Sequence, residues 1–543
     1  MTVTIFAPAD VRPDGGPVSR GGALAVAGGR VLAVGGAAEV AAAFPRARRV
    51  DLGGLPVFPG LIDAHLHLIG YGFSLLEVEL REAGSPGEAA RLVSAAAARL
   101  PADAWVLGRG WDKNTWPEDR FPSRGDLDPA TAGRPAVMAS KDGHLLWVNS
   151  AALRAAGITR DTPDPPGGVV GRDTAGEPDG ILKEEAAALV RRVVPPPTPG
   201  MRERAALEAV ADLHRFGITG VHAFTGTTTE GPEGFATLQR LHARGDLGVR
   251  VVATLPDRHL EAAAACGMRT GLGDEMLRVG PVKIFADGAL GSQTASMLAP
   301  YDGQPGNLGV QVRSPAELDH LVARAIDAGL WTAIHAIGDR ANREVLDVFE
   351  RHQAASQRLG ARHRIEHVQL LHPDDLPRLA RIGVVASMQP IHATEDREIA
   401  ERYWGPRARW AYAWRAITAS GAALAFGSDA PVETPDPWRG MYAAVTRRRE
   451  HGREHGKDRS AWYPEECIPL EEAIRAYTTG AAYAAGTEGW QGALRPGSAA
   501  DFIVLDRDPY AGPPEELLQV RVLATVVGGR LMHAAGALDG VMG

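Results

Sequence analysis

The sequence predicts an α/β protein built on a (β/α)8 TIM barrel, with a large insertion after the first barrel strand and a small β-sandwich formed by both chain termini. Three observations predict it. Eight apolar, strand-like runs end in polar tips, at 55–67, 217–224, 248–255, 277–287, 330–339, 362–370, 383–392 and 423–432. Ala-rich amphipathic segments such as ERAALEAVADLHRFG and SPAELDHLVARAIDAG lie between such runs, and strand–helix alternation is the signature of a parallel sheet. The polar tips collect His and Asp residues, as befits a barrel whose active site gathers at the C-terminal ends of its strands.

Residues 1–56 contain TVTIFA, GGALAVAGGRVLAVGG and RRVDLGGLPV, short apolar stretches parted by glycine pairs that read as hairpins. The same style returns in ADFIVLDRDP (500–509) and VRVLATVVGGRLMHAAG (520–536). Because chain ends often lie close together, one composite β-sandwich from 1–56 and 490–543 is expected, with the barrel over 57–489. A separate domain at each end is the alternative. About 150 residues separate the first run from the second, whereas a βα unit needs ~30. An insertion over about 69–200 follows, expected to form a lid or wall at the barrel mouth.

Composition narrows the function classes. Of the 543 residues, 45% are hydrophobic and 23% charged, as in a soluble globular protein. The 58 basic and 66 acidic side chains give a net charge of -8, which argues against a nucleic-acid partner. Two cysteines, Cys266 and Cys467, exclude a disulfide framework or a Cys-rich metal site. With no apolar run near the ~20 residues that span a bilayer and no basic start before an apolar core, a cytoplasmic enzyme without membrane contact is expected. The one dense basic run, RRREHGREHGKDR, holds His451, Glu454 and His455 in an H-x-x-E-H pattern. That pattern needs a continuous helix, and the flanking Gly452 and Gly456 predict a solvated loop instead.

The metal-binding signal starts at VFPGLIDAHLHL (57–68), where Asp63, His65 and His67 stand two residues apart. In a strand that spacing sends all three to one face, and a pair of neutral imidazoles is half of a zinc-like site. His335 near the end of WTAIHAIGD, His367 in HRIEHVQL and Asp429 after the apolar body of ALAFGSDAP lie at the ends of three further strands. Lys283 sits between Val282 and Ile284 in GPVKIFADGALGS. Buried among aliphatics it must snorkel, pair with an acid or lose its proton. A neutral amine can also add carbon dioxide and become a metal-bridging carbamate.

The order HxH, Lys, His, His, Asp along these strands resembles the amidohydrolase superfamily of metal-dependent hydrolases. GWDKNTWPEDRFPSRGDLD, DGHLLWVNSAAL, VKIFADGALGSQTA, HAIGDRAN, RIEHVQL and SDAPVETPDPW are similar to the branch called amidohydrolase family 3, to which N-substituted formamide deformylase belongs. The resemblance implies one or two divalent ions, zinc first among them. His65, His67 and Asp429 would hold the more buried ion, His335 and His367 the more exposed one, and carboxylated Lys283 would bridge both. Gln293 stands in GSQTA where many relatives are expected to carry Arg.

These readings converge on hydrolysis of an amide-type C–N bond, such as that of an N-substituted formamide, with Asp429 moving the proton. Trp111, His144, Trp147 and Asn149 are the expected substrate contacts, since an aromatic and polar wall suits a small amide. Asp63 is expected to support a ligand His, and Asp287, Asp339, Glu366 and His392 have the position to join it. A homodimer is the assembly expected. Two alternatives differ in kind: a single-metal deaminase or cyclic-amide or ester hydrolase in which Lys283 stays an amine, and a barrel that has lost catalysis and serves as a scaffold.

Overall fold

The computed structural model describes residues 2–16, 18–101, 104–113, 116–118, 120–140, 145–166, 168–225, 233–450 and 460–538. Two compact units result, Met1–Ile69 with Ala209–Gly543, and Gly70–Glu208.

In the first unit eight strands pair in chain order, parallel at every step: β1 (Leu61–Leu66), β2 (Ile218–Ala223), β3 (Arg250–Pro256), β4 (Leu277–Phe285), β5 (Thr332–Ala336), β6 (Arg364–His367), β7 (Val385–Met388) and β8 (Leu424–Phe426). Seven fall inside the apolar runs, and β3 passes the end of its run by one residue, Pro256. Every residue of β1, β2, β6, β7 and β8 is buried, as expected of parallel strands covered on both faces. The covering helices follow local rules. In Pro315–Asp327, Ser314 Oγ accepts from the Glu317 N–H at 3.3 Å while the Glu317 carboxylate accepts from the Ser314 N–H at 2.8 Å. This reciprocal cap starts the helix, and its face of Leu318, Val322 and Ala325 joins the barrel core.

The sheet closes where β8 meets β1. Asp429 N–H donates to His65 O at 2.7 Å and His67 N–H to Ala430 O at 2.9 Å. Asp63 clasps the same seam, its carboxylate accepting from Ser428 N–H at 3.1 Å and Ser428 Oγ–H at 2.5 Å. A Cβ on Gly427 would stand 2.4 Å from His65 N, so the approach of the two strands requires glycine there.

Both termini build one further sheet in the order Arg530–Ala534, Val522–Val527, Phe502–Leu505, Pro56–Pro59, Thr4–Val11, Ser19–Ala27 and Arg30–Gly36, with Arg48–Val50 beside Thr4–Val11. Phe502 pairs with Pro59 and Val504 with Val57, so the two ends of the chain are directly hydrogen-bonded. The rings of Phe6 and Phe502 meet at 5.0 Å in its core. The terminal segments thus form a continuous sheet, in which Pro56–Pro59 is the strand that joins the halves.

The second unit carries a six-stranded sheet ordered Gly168–Arg172, Pro178–Glu184, Leu145–Val148, Ala136–Ser140, Val106–Trp111 and Val78–Glu79. It has its own core, in which Trp111, Trp116 and Trp147 pack with ring centroids 6.0 to 6.4 Å apart. No helix among the described residues is long and apolar enough to cross a membrane. The H-x-x-E-H pattern at His451–His455 lies outside the described residues.

Candidate metal centre

Strand geometry brings the sequence-predicted ligands together at the C-terminal ends of β1, β5, β6 and β8. His65 Nε2 and His67 Nε2 lie 3.5 and 3.2 Å from Asp429 Oδ1. One ligand atom from each of His65, His367 and Asp429 lies within 4.8 Å of the others. The His65 and His367 rings are 4.9 Å apart and those of His335 and His367 4.7 Å.

The other ring nitrogen of each histidine meets an oxygen acceptor. His65 Nδ1 lies 2.6 Å from Glu366 Oε2, His67 Nδ1 3.2 Å from Phe224 O, His335 Nε2 2.9 Å from Gly288 O and His367 Nδ1 2.8 Å from Gln389 Oε1. Each of those nitrogens therefore donates, and in the neutral ring the lone pair falls on Nε2 of His65, His67 and His367 and on Nδ1 of His335. This outer hydrogen bond fixes the tautomer of a ligating imidazole. It also sets two lone pairs against the Asp429 carboxylate, an arrangement that a cation between them relieves. The donor set of imidazole nitrogens and carboxylate oxygen thus fits a divalent ion of the zinc type.

Electrostatics agree with the geometry. Burial drives the His65 imidazole down to about 4 and that of His335 to about 3, so both are neutral near pH 7, as ligation requires. Burial by itself would raise the Asp429 carboxyl, yet the surrounding imidazoles of His65, His67 and His367 hold it well below the usual carboxylate range. His367 (φ 76°) and Asp429 (φ 59°) both occupy the left-handed backbone region. A non-glycine residue there costs on the order of 1–3 kcal/mol, a strain typical of functional sites.

Behind His65 lies a buried network. Arg364, at 1% exposure, donates to Glu366 Oε1 at 2.5 Å, Ala64 O at 2.6 Å, His222 Nδ1 at 2.7 Å and Ser387 Oγ at 2.7 Å. Arg364 and Glu366 alternate along β6 and so share the barrel interior. Burial would raise the Glu366 carboxyl, but Arg364 and His65 outweigh it and keep it well below its ordinary value. Sequence reasoning placed Glu366 near a ligand and missed Arg364 and His222. The available signal was a charged i, i+2 pair inside an otherwise apolar strand.

Lys283 on β4 is 4% exposed, with Nζ 4.8 and 4.7 Å from the ring centroids of Phe224 and Phe285. Burial lowers its ammonium to about 8. Asp63 accepts from the His65 N–H at 3.0 Å, supporting the ligand strand through its backbone. Asp287 accepts from the N–H groups of Ser296, Ile337 and Gly338 and lies 3.7 Å from His335 Nε2. Asp339 instead accepts from Leu298 N–H at 2.8 Å. Gln293 pairs with Gln304 and takes no charged partner's place.

The expected substrate contacts from the insertion find other employment. Trp111 and Trp147 are at most 1% exposed and donate their indole N–H groups to Met138 O and Ser123 O. Asn149 caps the helix Ser150–Ala155, accepting from Ala152 N–H, and donates to Thr131 Oγ1 and Arg134 O. All three hold their own unit together through these bonds. His144 lies outside the described residues.

The chain resembles known proteins along nearly all of its length. Residues 48–533 match the model of the amidohydrolase family. The chain is 33% identical to YtcJ of Bacillus subtilis over 90% of its own length and 91% of that protein's. It is 30% identical to N-substituted formamide deformylase of Arthrobacter pascens, covering 94% of each. An uncharacterized metal-dependent hydrolase from Pyrococcus furiosus superposes with a TM-score of 0.76 at 29% identity, covering 93% of this chain and 99% of that one. With the family model spanning nearly the whole chain, the chain belongs to the amidohydrolase family of metal-dependent hydrolases.

Proposed function

We propose that the enzyme hydrolyses the C–N bond of a small organic amide, with N-substituted formamides as the leading substrate class. The carrying observation is the set of four imidazoles, each tied at one nitrogen to an oxygen, around the Asp429 carboxylate. The formamide class is supported by the 30% identity, over 94% of both chains, to a deformylase of that type. His65, His67 and Asp429 would hold one ion and His335 and His367 a second, zinc fitting the donors. A divalent ion there supplies Lewis acidity, polarising a carbonyl and bringing the pKa of water to roughly 7.

The chain's own groups do the rest. Asp429, ionised and 12% exposed at its side chain, is the base positioned to take a proton from the attacking water and return it to the leaving nitrogen. Amines leave poorly unless protonated, so the second transfer decides the rate. The Lys283 amine, lowered to about 8, is partly neutral at pH 7–8 and can add carbon dioxide, losing one proton to give a carbamate that would serve as a further carboxylate-like ligand. A single-ion reading is favoured by one fact: among the described residues His65, His367 and Asp429 bring one ligand atom each within 4.8 Å of one another.

The test is a hydrolysis screen of N-substituted formamides, N-acyl amino acids and cyclic amides with zinc-reconstituted protein. Turnover of a formamide that chelation abolishes and zinc restores supports the reading. Turnover unaffected by chelator, or loss of none of it in His67→Ala, refutes it.

A further inference from the structure

One buried imidazole beside the metal centre follows a different rule from the four ligands. His392 stands in the helix Pro390–Glu395 directly after β7, and is 7% exposed. Its Nε2 lies 4.0 Å from Asp429 Oδ2, and its ring is nearly parallel to that of His367, 22° between planes at 6.2 Å. Neither Nδ1 nor Nε2 has a hydrogen-bond partner. Each ligand histidine, in contrast, has a nitrogen committed to an oxygen of the fold.

A buried polar group that the fold leaves unsatisfied loses its hydration with no return, so such groups in native proteins call for an explanation. Packing does not require an imidazole here, since a phenyl ring of similar shape would fill the volume without that loss. The position also suits a protein donor acting beside the Lewis acid proposed above. Asp429 is acceptor-only when ionised, and the imidazoles of His65, His67, His335 and His367 have no N–H left to offer, so these five groups supply no donor for the oxygen of a substrate carbonyl. His392 stands nearest to Asp429 Oδ2, whereas His65 and His67 stand nearest to Oδ1.

We infer that His392 is a catalytic residue that donates a hydrogen bond from its ring N–H to the substrate carbonyl oxygen, which becomes the oxyanion of the tetrahedral intermediate. The inference rests on the amide-hydrolase reading above and deepens it by assigning the substrate's oxygen a partner. A donor waiting in place, with no competing bond to break, binds developing negative charge more strongly than the ground-state carbonyl. Removing it therefore acts on kcat more than on KM.

The experiment compares wild type, His392→Phe and His392→Gln, each zinc-reconstituted, on an amide that the wild type turns over. His392→Phe is expected to lose ~10²-fold in kcat with KM within about threefold, as for removal of one oxyanion donor, and His392→Gln, which keeps an N–H, to recover part of the loss. Zinc content and thermal midpoint should match wild type in both. A binding arm stands apart from catalysis: N-benzyl methylphosphonamidate, a stable mimic of the tetrahedral oxyanion, should bind His392→Phe at least tenfold more weakly than wild type. Unchanged kcat in His392→Phe, a loss confined to KM, a fall in zinc content, or equal affinity for the phosphonamidate overturns the inference. Failure of the functional reading shows separately, as a wild type that turns over no amide while the phosphonamidate comparison still decides the role of His392.

Discussion

Glu366→Gln tests the support behind the metal centre most directly. The carboxylate accepts from His65 Nδ1 at 2.6 Å and from Arg364 at 2.5 and 3.1 Å, with 0% exposure at its side chain. Glutamine has the same shape but offers one oxygen where two are used. Its NH2 group must therefore face either the His65 N–H or the Arg364 guanidinium, donor against donor. Two costs follow. Arg364, buried at 1% exposure, loses its counter-charge, and breaking one side of a buried ion pair costs ~3–5 kcal/mol. His65 loses the acceptor that sets its tautomer, and outer-shell losses of this kind lower metal affinity ~10–100-fold. Zinc affinity is measured by competition with a chromophoric chelator and stability by urea unfolding of the zinc-free protein. A variant with wild-type zinc affinity and an unchanged urea midpoint refutes the argument that this network orients the ligand.

Three further perturbations separate other parts of the account. Lys283→Arg, whose guanidinium cannot become a carbamate, is expected to lower zinc stoichiometry to one ion per chain, read by elemental analysis after gel filtration; two retained ions would refute the bridging role. Burial pushes the His363 imidazole down to about 3, where its nitrogens meet Thr332 and Ser356. Its folded value lies below the unfolded one, so stability is complete above about pH 6.5 and falls with pH from 6.5 towards 3, by ~2 kcal/mol at pH 5. His363→Gln should flatten the urea-midpoint profile between pH 5 and 7.5 by that amount, and an unchanged slope would count against it. Gly427→Ala places a methyl 2.4 Å from His65 N, and is expected to cost ~1–3 kcal/mol as overpacking at the β1–β8 seam, with reduced zinc binding. Wild-type values for both would show that the seam yields freely.

The barrel was legible because parallel strands covered on both faces must be apolar along their length, and the polar tips then stand out against them. The same contrast exposed His65, His67, His335, His367 and Asp429. In the insertion the same one-dimensional signal is ambiguous. Trp111 and Trp147 looked like a pocket wall because aromatic residues serve equally as binding surface and as core, and one-dimensional spacing does not tell which. Their indole N–H groups, spent on Met138 and Ser123, show their use.

What the sequence determined by itself is local and periodic: strand and helix order, the two-residue spacing that turns His65 and His67 the same way, and the caps that start helices such as Pro315–Asp327. The tertiary structure decided everything that depends on which groups meet across hundreds of residues. Glu366 finds His65, Ser428 finds Asp63, Phe502 finds Pro59, and His392 comes to Asp429 with both nitrogens unspent. The physical reason is that a hydrogen bond or a ligand set is a matter of distances of a few ångströms in space, and periodicity along a chain specifies direction but not encounter.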